Sequence, residues 1–374
     1  MNNLEEIVAK FAVEGKVAAI RPLGNGLIND TYKVTTEGDA PDYVLQRINH
    51  AIFKDVDRLQ SNIVAVTEWT RKKLLEAGTD DIDRKVLKFI PLNDCAKDGQ
   101  PKTYWFDGES YWRMSVFIPG AKTVDTVDPE YSEYAGEAFG RFESMLADIP
   151  VELGETIPDF HNMELRIRQL EDAVKDDAAG RLRDDDNTET KELHAILDEM
   201  SRFGGEMCKA ERLYREGVLP KRICHCDTKV NNMMFDENGG FLCVIDLDTV
   251  MPSYVFSDFG DFLRTAANKV AEDSPELSKV EFDMEIFKAF SRGYIKGTAS
   301  FLLPVERENL PYAACLFPFM QAVRFFTDYI NGDTYYKISY PEHNLVRTRN
   351  QLKLFESAMS KVPEMKAWID SLQG

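Results

Sequence analysis

The run HCDTKVNNMMFDENGGFLCVIDLDT, residues 225–249, holds five acidic residues, three asparagines, one histidine and two cysteines. Three readings compete for it: a cysteine–histidine metal cluster, a solvated acidic loop, or a catalytic segment. Cys224, His225 and Cys226 are consecutive, so they cannot surround one tetrahedral zinc, and no cysteine pair with zinc-ligand spacing occurs elsewhere. An open acidic loop is excluded by MMF and FLCVI, short apolar runs of strand composition joined by ENGG, a hairpin signal.

A hairpin here has a geometric consequence. With Phe235–Asp236 against Phe241–Leu242, Asn232 arrives beside Ile245 and Asp246 at the open end. Asp248 shares the side of Asp246 if the strand continues, and Asp227 lies on the loop entering the hairpin. An amide oxygen and a carboxylate suit Mg²⁺, which keeps several waters and completes its shell with substrate phosphates. A further carboxylate nearby suits accepting a hydroxyl proton. That is the division of labour in phosphoryl transfer by kinases.

Working outward, the N-terminal part reads as a small mixed unit. A first helix has Leu4, Ile7 and Phe11 on one face. Residues 17–49 follow as strand, glycine-containing turn, strand, polar turn and strand. The turn GNGLINDTYKV, residues 24–34, contains Gly24 and Gly26, whose N–H groups can approach a triphosphate closely. Helical periodicity through Val56, Leu59, Ile63, Val66 and Leu74 predicts a helix with Asp55 as N-cap and Gly78 as stop. Two more strands are expected, around KVLKFIPL and YWRMSVFIPG. Beyond Pro119-Gly120 helices dominate, over 129–148, 163–176, 190–214, 282–297, 306–331 and 344–360. The charged run 174–191 reads as a mobile surface connection. The expected class is therefore α+β, with a small β-rich N-terminal lobe (1–118) and a larger, mainly helical C-terminal lobe (119–374).

Composition narrows the partners. The chain has 374 residues, 45 Lys and Arg against 64 Asp and Glu, and a formal net charge of −19. Such a surface repels nucleic acid and anionic membrane alike. No apolar run is long enough to span a bilayer, and the acidic start MNNLEEIVAKF is unlike a signal peptide. Six scattered cysteines in so large a chain point to reduced thiols and a cytoplasmic protein.

H-x-D-x₄-N (His225, Asp227, Asn232) followed by the strand-end Asp246 resembles the aminoglycoside phosphotransferase and choline kinase group, small-molecule kinases with a bilobal protein-kinase-like fold. GLINDTY, YVLQRIN, DTKVNN, IDLDTVMP, DFGD and YPEHNLVRTR look more specifically like the subgroup that phosphorylates N-acetylhexosamines at the anomeric position. By that resemblance, Asp227 is the catalytic base and touches the sugar, while Asn232 and Asp246 hold Mg²⁺. The loop carrying Gly24, Gly26, Asn29 and Thr31 covers the phosphates of ATP, and Val116 and Ile118 in SVFI line the adenine site. Arg324 and Tyr335 match sugar contacts. Asp258 of DFGD reads as a brace for the catalytic loop rather than a metal ligand.

One departure stands out. The basic residue usual on the third strand is replaced in YVLQRIN by Gln46, with Arg47 on the opposite face if alternation holds. The customary glutamate partner on the next helix is equally open; Glu68 is available. On the C-terminal side, Phe325, Phe326 and Tyr329 read as a core stripe and His161 as a buried structural histidine. His343, Asn344 and Arg347 read as a knot tying the last helix to its lobe. The expected activity is ATP- and Mg²⁺-dependent formation of N-acetylhexosamine 1-phosphate. The alternatives are a kinase of choline, homoserine or an aminoglycoside on the same fold, or a catalytically weak nucleotide-binding protein.

Overall fold

The computed structural model describes residues 4–24, 29–94, 101–124, 127–183 and 187–372. The chain divides into two compact units. One comprises Met1–Val124, Asp148–Pro158 and Asn231–Met251, the other Asp125–Ala147, Asp159–Val230 and Pro252–Gly374.

The first unit begins with a short helix, α1 (Leu4–Val8), and continues into β1 (Val17–Pro22), β2 (Asp30–Thr36) and β3 (Tyr43–Ile48). After α2 (Val56–Glu76) and the single turn α3 (Ile82–Lys85) come β4 (Tyr104–Phe106) and β5 (Tyr111–Val116). The five strands form one antiparallel sheet in the order β1-β2-β3-β5-β4. Val34, Tyr43, Leu45, Trp112 and Met114 point to one face and bury it with Ile7, Val8 and Phe11. Burial of that face, at about 25 cal/mol per Å² of apolar surface, is what holds α1 to the sheet. Helix α2 starts and stops as its sequence requires. Asp55 accepts the Arg58 N–H at 2.9 Å, and Gly78, just past the end, takes φ +66°. The strand expected at KVLKFIPL is reduced to isolated bridges, Phe89 to Ser115 and Phe11 to Leu92. Pro91 has no N–H to continue a ladder there.

The hairpin that closes this unit is β7 (Met233–Phe235) and β8 (Phe241–Val244), with Met233 opposite Val244 and a bulge before Phe235. Asp236 shapes its turn by accepting the N–H groups of Asn238 and Gly240, both at 2.8 Å. Reciprocal 2.9 Å backbone bonds between Lys122 and Phe235 tie it to the rest of the unit.

The second unit is helical: α4 (Pro129–Leu146), α5 (Met163–Asp176), α6 (Thr188–Met207), α7 (Lys209–Arg215), then the short strand β6 (Arg222–Cys224). Strand β9 (Met251–Ser253) leads into α8 (Phe256–Ala266), α9 (Met284–Thr298), α10 (Pro304–Glu308), α11 (Leu310–Ile330) and α12 (His343–Ser371). The helix expected over 190–214 is interrupted at Cys208. The Tyr312 hydroxyl donates to Met207 O at 2.7 Å and accepts the Ala210 N–H at 3.2 Å, entering the backbone ladder. Helix α8 was not among the expected helices, although Phe256, Phe259, Phe262 and Leu263 recur at helical spacing; Phe256 through Arg264 are all buried. The charged run 174–191 is tied down where it is described. Asp177 accepts the Arg181 N–H at 2.9 Å, and Arg181 bonds Tyr329 O and Asp333. Among the described residues no helix is long and apolar enough to cross a membrane.

Candidate active site

The hairpin delivers Asn232 and Asp246 to the same end of the first unit. The ladder ends at Met233 and Val244, and one step further the Ile245 N–H donates to Asn232 O at 2.9 Å. Asn232 is buried and Asp246 exposed. Their oxygen atoms are the hard donors that suit Mg²⁺, with no softer sulfur or imidazole ligand implied at either position. Asp246 adopts φ +59°, ψ +56°, a left-handed conformation that turns the chain out of the strand. The strand therefore does not continue, and Asp248 is carried inward rather than to the side of Asp246.

Asp248 ends in a buried polar network that stands where a third-strand cation was sought. It is ion-paired with Arg113 and accepts from Asn29 Nδ2 at 2.7 Å. Arg113 Nε in turn donates to Gln46 Oε1 at 3.0 Å, and Gln46 Nε2 to Thr31 Oγ1 at 3.4 Å. Asn29 Oδ1 accepts the Asn49 N–H at 2.9 Å. Strand register explains the meeting, since Thr31 faces Gln46 and Gln46 faces Arg113 across β2, β3 and β5. Arg47 lies on the other face, exposed and paired with Asp30, as alternation requires. Glu68 is exposed on α2. Asn62, one of the buried polar residues of that helix, donates to Gly154 O at 2.7 Å and Val250 O at 3.0 Å.

Arg113 is the residue sequence reasoning passed over. An arginine inside the otherwise apolar and aromatic strand YWRMSV was the available signal, because a buried guanidinium requires a carboxylate. Gly24 is exposed with φ +68°, whereas Gly26 lies outside the described residues. Val116 is half-buried at the end of β5. Ile118 packs with Leu242 and Cys243, flanked by Ile245, so an apolar wall runs beside the Asn232–Asp246 end of the hairpin.

Asp227 belongs to the second unit, where the segment after β6 is pinned from behind. Asp258, at the start of α8, accepts the His225 N–H at 2.8 Å and the Cys226 N–H at 2.7 Å, the bracing role expected of it. Thr228 Oγ1 donates to Asp258 O at 2.8 Å. Cys226 takes φ +63°; it and Asp246 are two of only six non-glycine residues with positive φ among those described, and both adjoin or are expected site residues. Asp227 is half-buried and its Oδ1 lies 2.6 Å from Lys229 Nζ. Burial opposes the Lys229 charge, but Asp227 and Asp261 outweigh it and hold the ammonium above its ordinary value. Lys229 also escaped the sequence reading, although it stands two residues from Asp227.

Around this segment the second unit gathers cations. Arg264 is ion-paired with Asp261 and Glu272. Arg324 donates to Gln321 Oε1 at 3.1 Å and lies 5.5 Å from the Phe160 ring and 5.6 Å from that of Tyr336. His161 stacks on Phe160 at 4.4 Å and meets Phe317 edge-on at 4.8 Å. Burial first, then Arg324, Arg166 and Arg264, hold its imidazole well below the usual value, so it is neutral. Burial and Arg324 likewise lower Arg166, to about 10.

Tyr335 is 64% exposed and leans edge-on against Tyr336 at 4.8 Å. Its loop is held by buried Asp328, which accepts the N–H groups of Thr334, Tyr335 and Tyr336 at 2.8–3.0 Å. Asn344 bonds Asp328 and Asp333, Arg347 bonds Lys337 O, and His343 Nδ1 accepts the Ser339 N–H, which together make the expected knot. Phe325, Phe326 and Tyr329 are buried core.

Residues 19–283 match the phosphotransferase enzyme family. Solved structures of the same fold include an aminoglycoside phosphotransferase from Alicyclobacillus acidocaldarius, 12% identical, TM-score 0.60, covering 98% of this chain and 96% of that one. A spectinomycin phosphotransferase in complex with ADP and spectinomycin is 12% identical with TM-score 0.53, over 98% and 97%. An ethanolamine kinase from Plasmodium vivax is 14% identical with TM-score 0.53, over 91% and 84%. At such identities the likeness is one of fold.

Proposed function

We propose, from the premise that the chain belongs to the phosphotransferase enzyme family, that it transfers the γ-phosphoryl group of ATP to the anomeric hydroxyl of an N-acetylhexosamine. The observation that carries the reading is Asp227, half-buried, ion-paired with Lys229 and presented by a loop whose preceding N–H groups are clamped by Asp258. Asp227 takes the proton of the acceptor hydroxyl. The hydroxyl oxygen bonds to phosphorus, the bond from γ-phosphorus to the bridging oxygen breaks, and ADP leaves. Lys229 keeps the carboxylate oriented and adds positive charge beside the transferring group.

On the nucleotide side, Asn232 and Asp246 would hold Mg²⁺, whose charge offsets that of the phosphates when bound. Gly24, Gly26, Asn29 and Thr31 would form the covering loop, and Val116 and Ile118 the adenine wall. Gln46 would stand as a neutral group where related kinases carry a cation, with the Arg113 charge one strand away. Arg324 and Tyr335 would read the acceptor. A guanidinium hydrogen-bonds sugar hydroxyls, and an exposed ring covers an apolar sugar face. The resemblance of YPEHNLVRTR to the anomeric kinases supports the N-acetylhexosamine over an amino alcohol.

The test is turnover with ATP and Mg²⁺ across N-acetylglucosamine, N-acetylgalactosamine, choline, ethanolamine, homoserine and an aminoglycoside, with ³¹P NMR to locate the phosphate. A sugar 1-phosphate is expected. A 6-phosphate, turnover with amino alcohols alone, or nucleotide binding without turnover of any acceptor would overturn the reading.

A further inference from the structure

Behind the Asp227 loop lies a second carboxyl group that the reaction does not use. Glu143 sits on α4, whose backbone runs unusually close to α9. A Cβ built on Gly136 would collide with Phe290 O, and one on Gly293 with Glu133 O, so only glycine fits at either place. That approach brings the Tyr294 hydroxyl to 2.7 Å from Glu143 Oε1. Glu143 Oε2 is buried with no N–H or O–H group directed at it. Carboxyl oxygens of Glu143 and Asp258 and the Cys224 sulfur lie within 4.8 Å of one another, all buried. Two buried carboxyl groups this close repel if both are charged, and the repulsion is removed when one of them carries a proton.

We propose that Glu143 is a positioning residue held as a neutral carboxylic acid, donating its O–H to Asp258 and thereby fixing the loop that carries Asp227. The proton belongs on Glu143 because Asp258 is the better-served anion. Its two oxygens accept the His225 and Cys226 N–H groups, and the second of these stands one residue before Asp227. Among the described residues, the titratable groups facing Glu143 come from several elements. Asp258 comes from α8, Tyr294 from α9, Cys224 from β6 with His225 and Cys226 after it, and Glu306 from α10. Arg222 already holds Glu306 through two bonds of 2.9 and 3.1 Å. Burial first, and then the Asp258 charge, push the Glu143 carboxyl well above the usual range. Burial also raises Asp258, opposed by His225 and the two N–H groups. Cys224, Cys226 and Tyr294 are pushed up by burial too, so they stay protonated beside the pair.

The proposal rests on Asp227 as the base, but its decisive measurements need no acceptor. Infrared difference spectra of the full chain against Glu143→Gln should show the carbonyl band of a protonated carboxyl near neutral pH, sensitive to D₂O and missing from the variant. Amide exchange at His225 and Cys226 should stay slow in Glu143→Gln, whose side-chain N–H₂ still donates to Asp258, and quicken in Glu143→Ala by about tenfold or more.

With whichever acceptor is turned over, Glu143→Gln should retain more turnover than Glu143→Ala. It should also lack the alkaline fall in rate that marks loss of the Glu143 proton. Absence of the band, or a glutamine variant as fast-exchanging as the alanine one, would overturn the proposal, even with the sugar 1-phosphate in hand. Should that product fail to form, the substrate reading falls by itself, and the band and the exchange rates still decide the role of Glu143.

Discussion

The two units treat buried charge in opposite ways. In the first, Thr31, Gln46, Arg113, Asp248 and Asn29 form one continuous chain in which one cation meets one carboxylate. In the second, His161, Arg166 and Arg324 gather around Phe160 with no ion pair to a carboxylate among the described residues, and two of them are shifted toward neutrality. Of the expected nucleotide and metal residues that are described, Asn29, Thr31 and Gln46 are in that network, and Asn232 and Asp246 lie in the same unit. Asp227, Arg324 and Tyr335 all lie in the second unit. A constant cofactor suits a neutral, rigid frame, whereas an acceptor rich in hydroxyls and a carbonyl suits unsatisfied donors.

The sharpest way to break this division is Asp227→Ala. On the proposed function kcat should fall by about 10²–10⁴-fold, the range for a general base. Nucleotide affinity, measured by calorimetry, should be unchanged. If affinity falls in step with kcat, nucleotide binding is not confined to the first unit and the comparison fails.

Next comes Arg113→Met, which leaves the Asp248 carboxylate buried without its cation. Breaking a buried pair from one side costs about 3–5 kcal/mol, to be read from urea unfolding. The KM for ATP should rise while that for the acceptor stays put. Asp248→Asn in the same chain should recover part of the loss, since the pair is coupled.

How much of this was legible beforehand differs between the units for physical reasons. The hairpin was readable because its apolar runs and turn residues are contiguous, and period-two alternation then dictates that Asn232 meets Ile245. The Asp258 brace came from resemblance and is visible as two N–H bonds. The place of Asp248 depended on whether the strand continues; a single left-handed residue, Asp246, redirects the chain, and no alternation rule foresees that. Arg113 and Asp248 are 135 positions apart in sequence, and only the folded chain reveals them as partners. Helix α8 was legible in the helical spacing of Phe256, Phe259, Phe262 and Leu263 and was passed over, whereas nothing in the sequence around Glu143 marks it as a buried acid.

Arg324→Ala is the mirror of the Arg113 substitution. Loss of a charged hydrogen bond to an acceptor, about 1.5–3 kcal/mol, should raise the acceptor KM by roughly 10–100-fold. The KM for ATP should not move. Opposite responses to the two arginines would sharpen the comparison; a shared response would dissolve it.

The smallest effect tests the cationic cluster around Phe160 directly. His161 is a base whose folded-state value lies well below its unfolded value near 6.5, owing to burial and then Arg324 and Arg166. The unfolded chain therefore takes up the proton first. Stability from this group is complete above about pH 6.5 and is lost as pH falls toward the folded value, by at most about 1.4 kcal/mol per pH unit. His161→Asn has no proton to gain, so the difference in unfolding free energy between wild type and variant should fall on acidification from about pH 7.5 to 5.5. In an Arg324→Ala background the imidazole is relieved of one neighbouring charge, and the same difference curve should flatten. A curve that ignores Arg324 would mean burial alone neutralises His161, and the gathered arginines would then be no evidence of a field built for an acceptor.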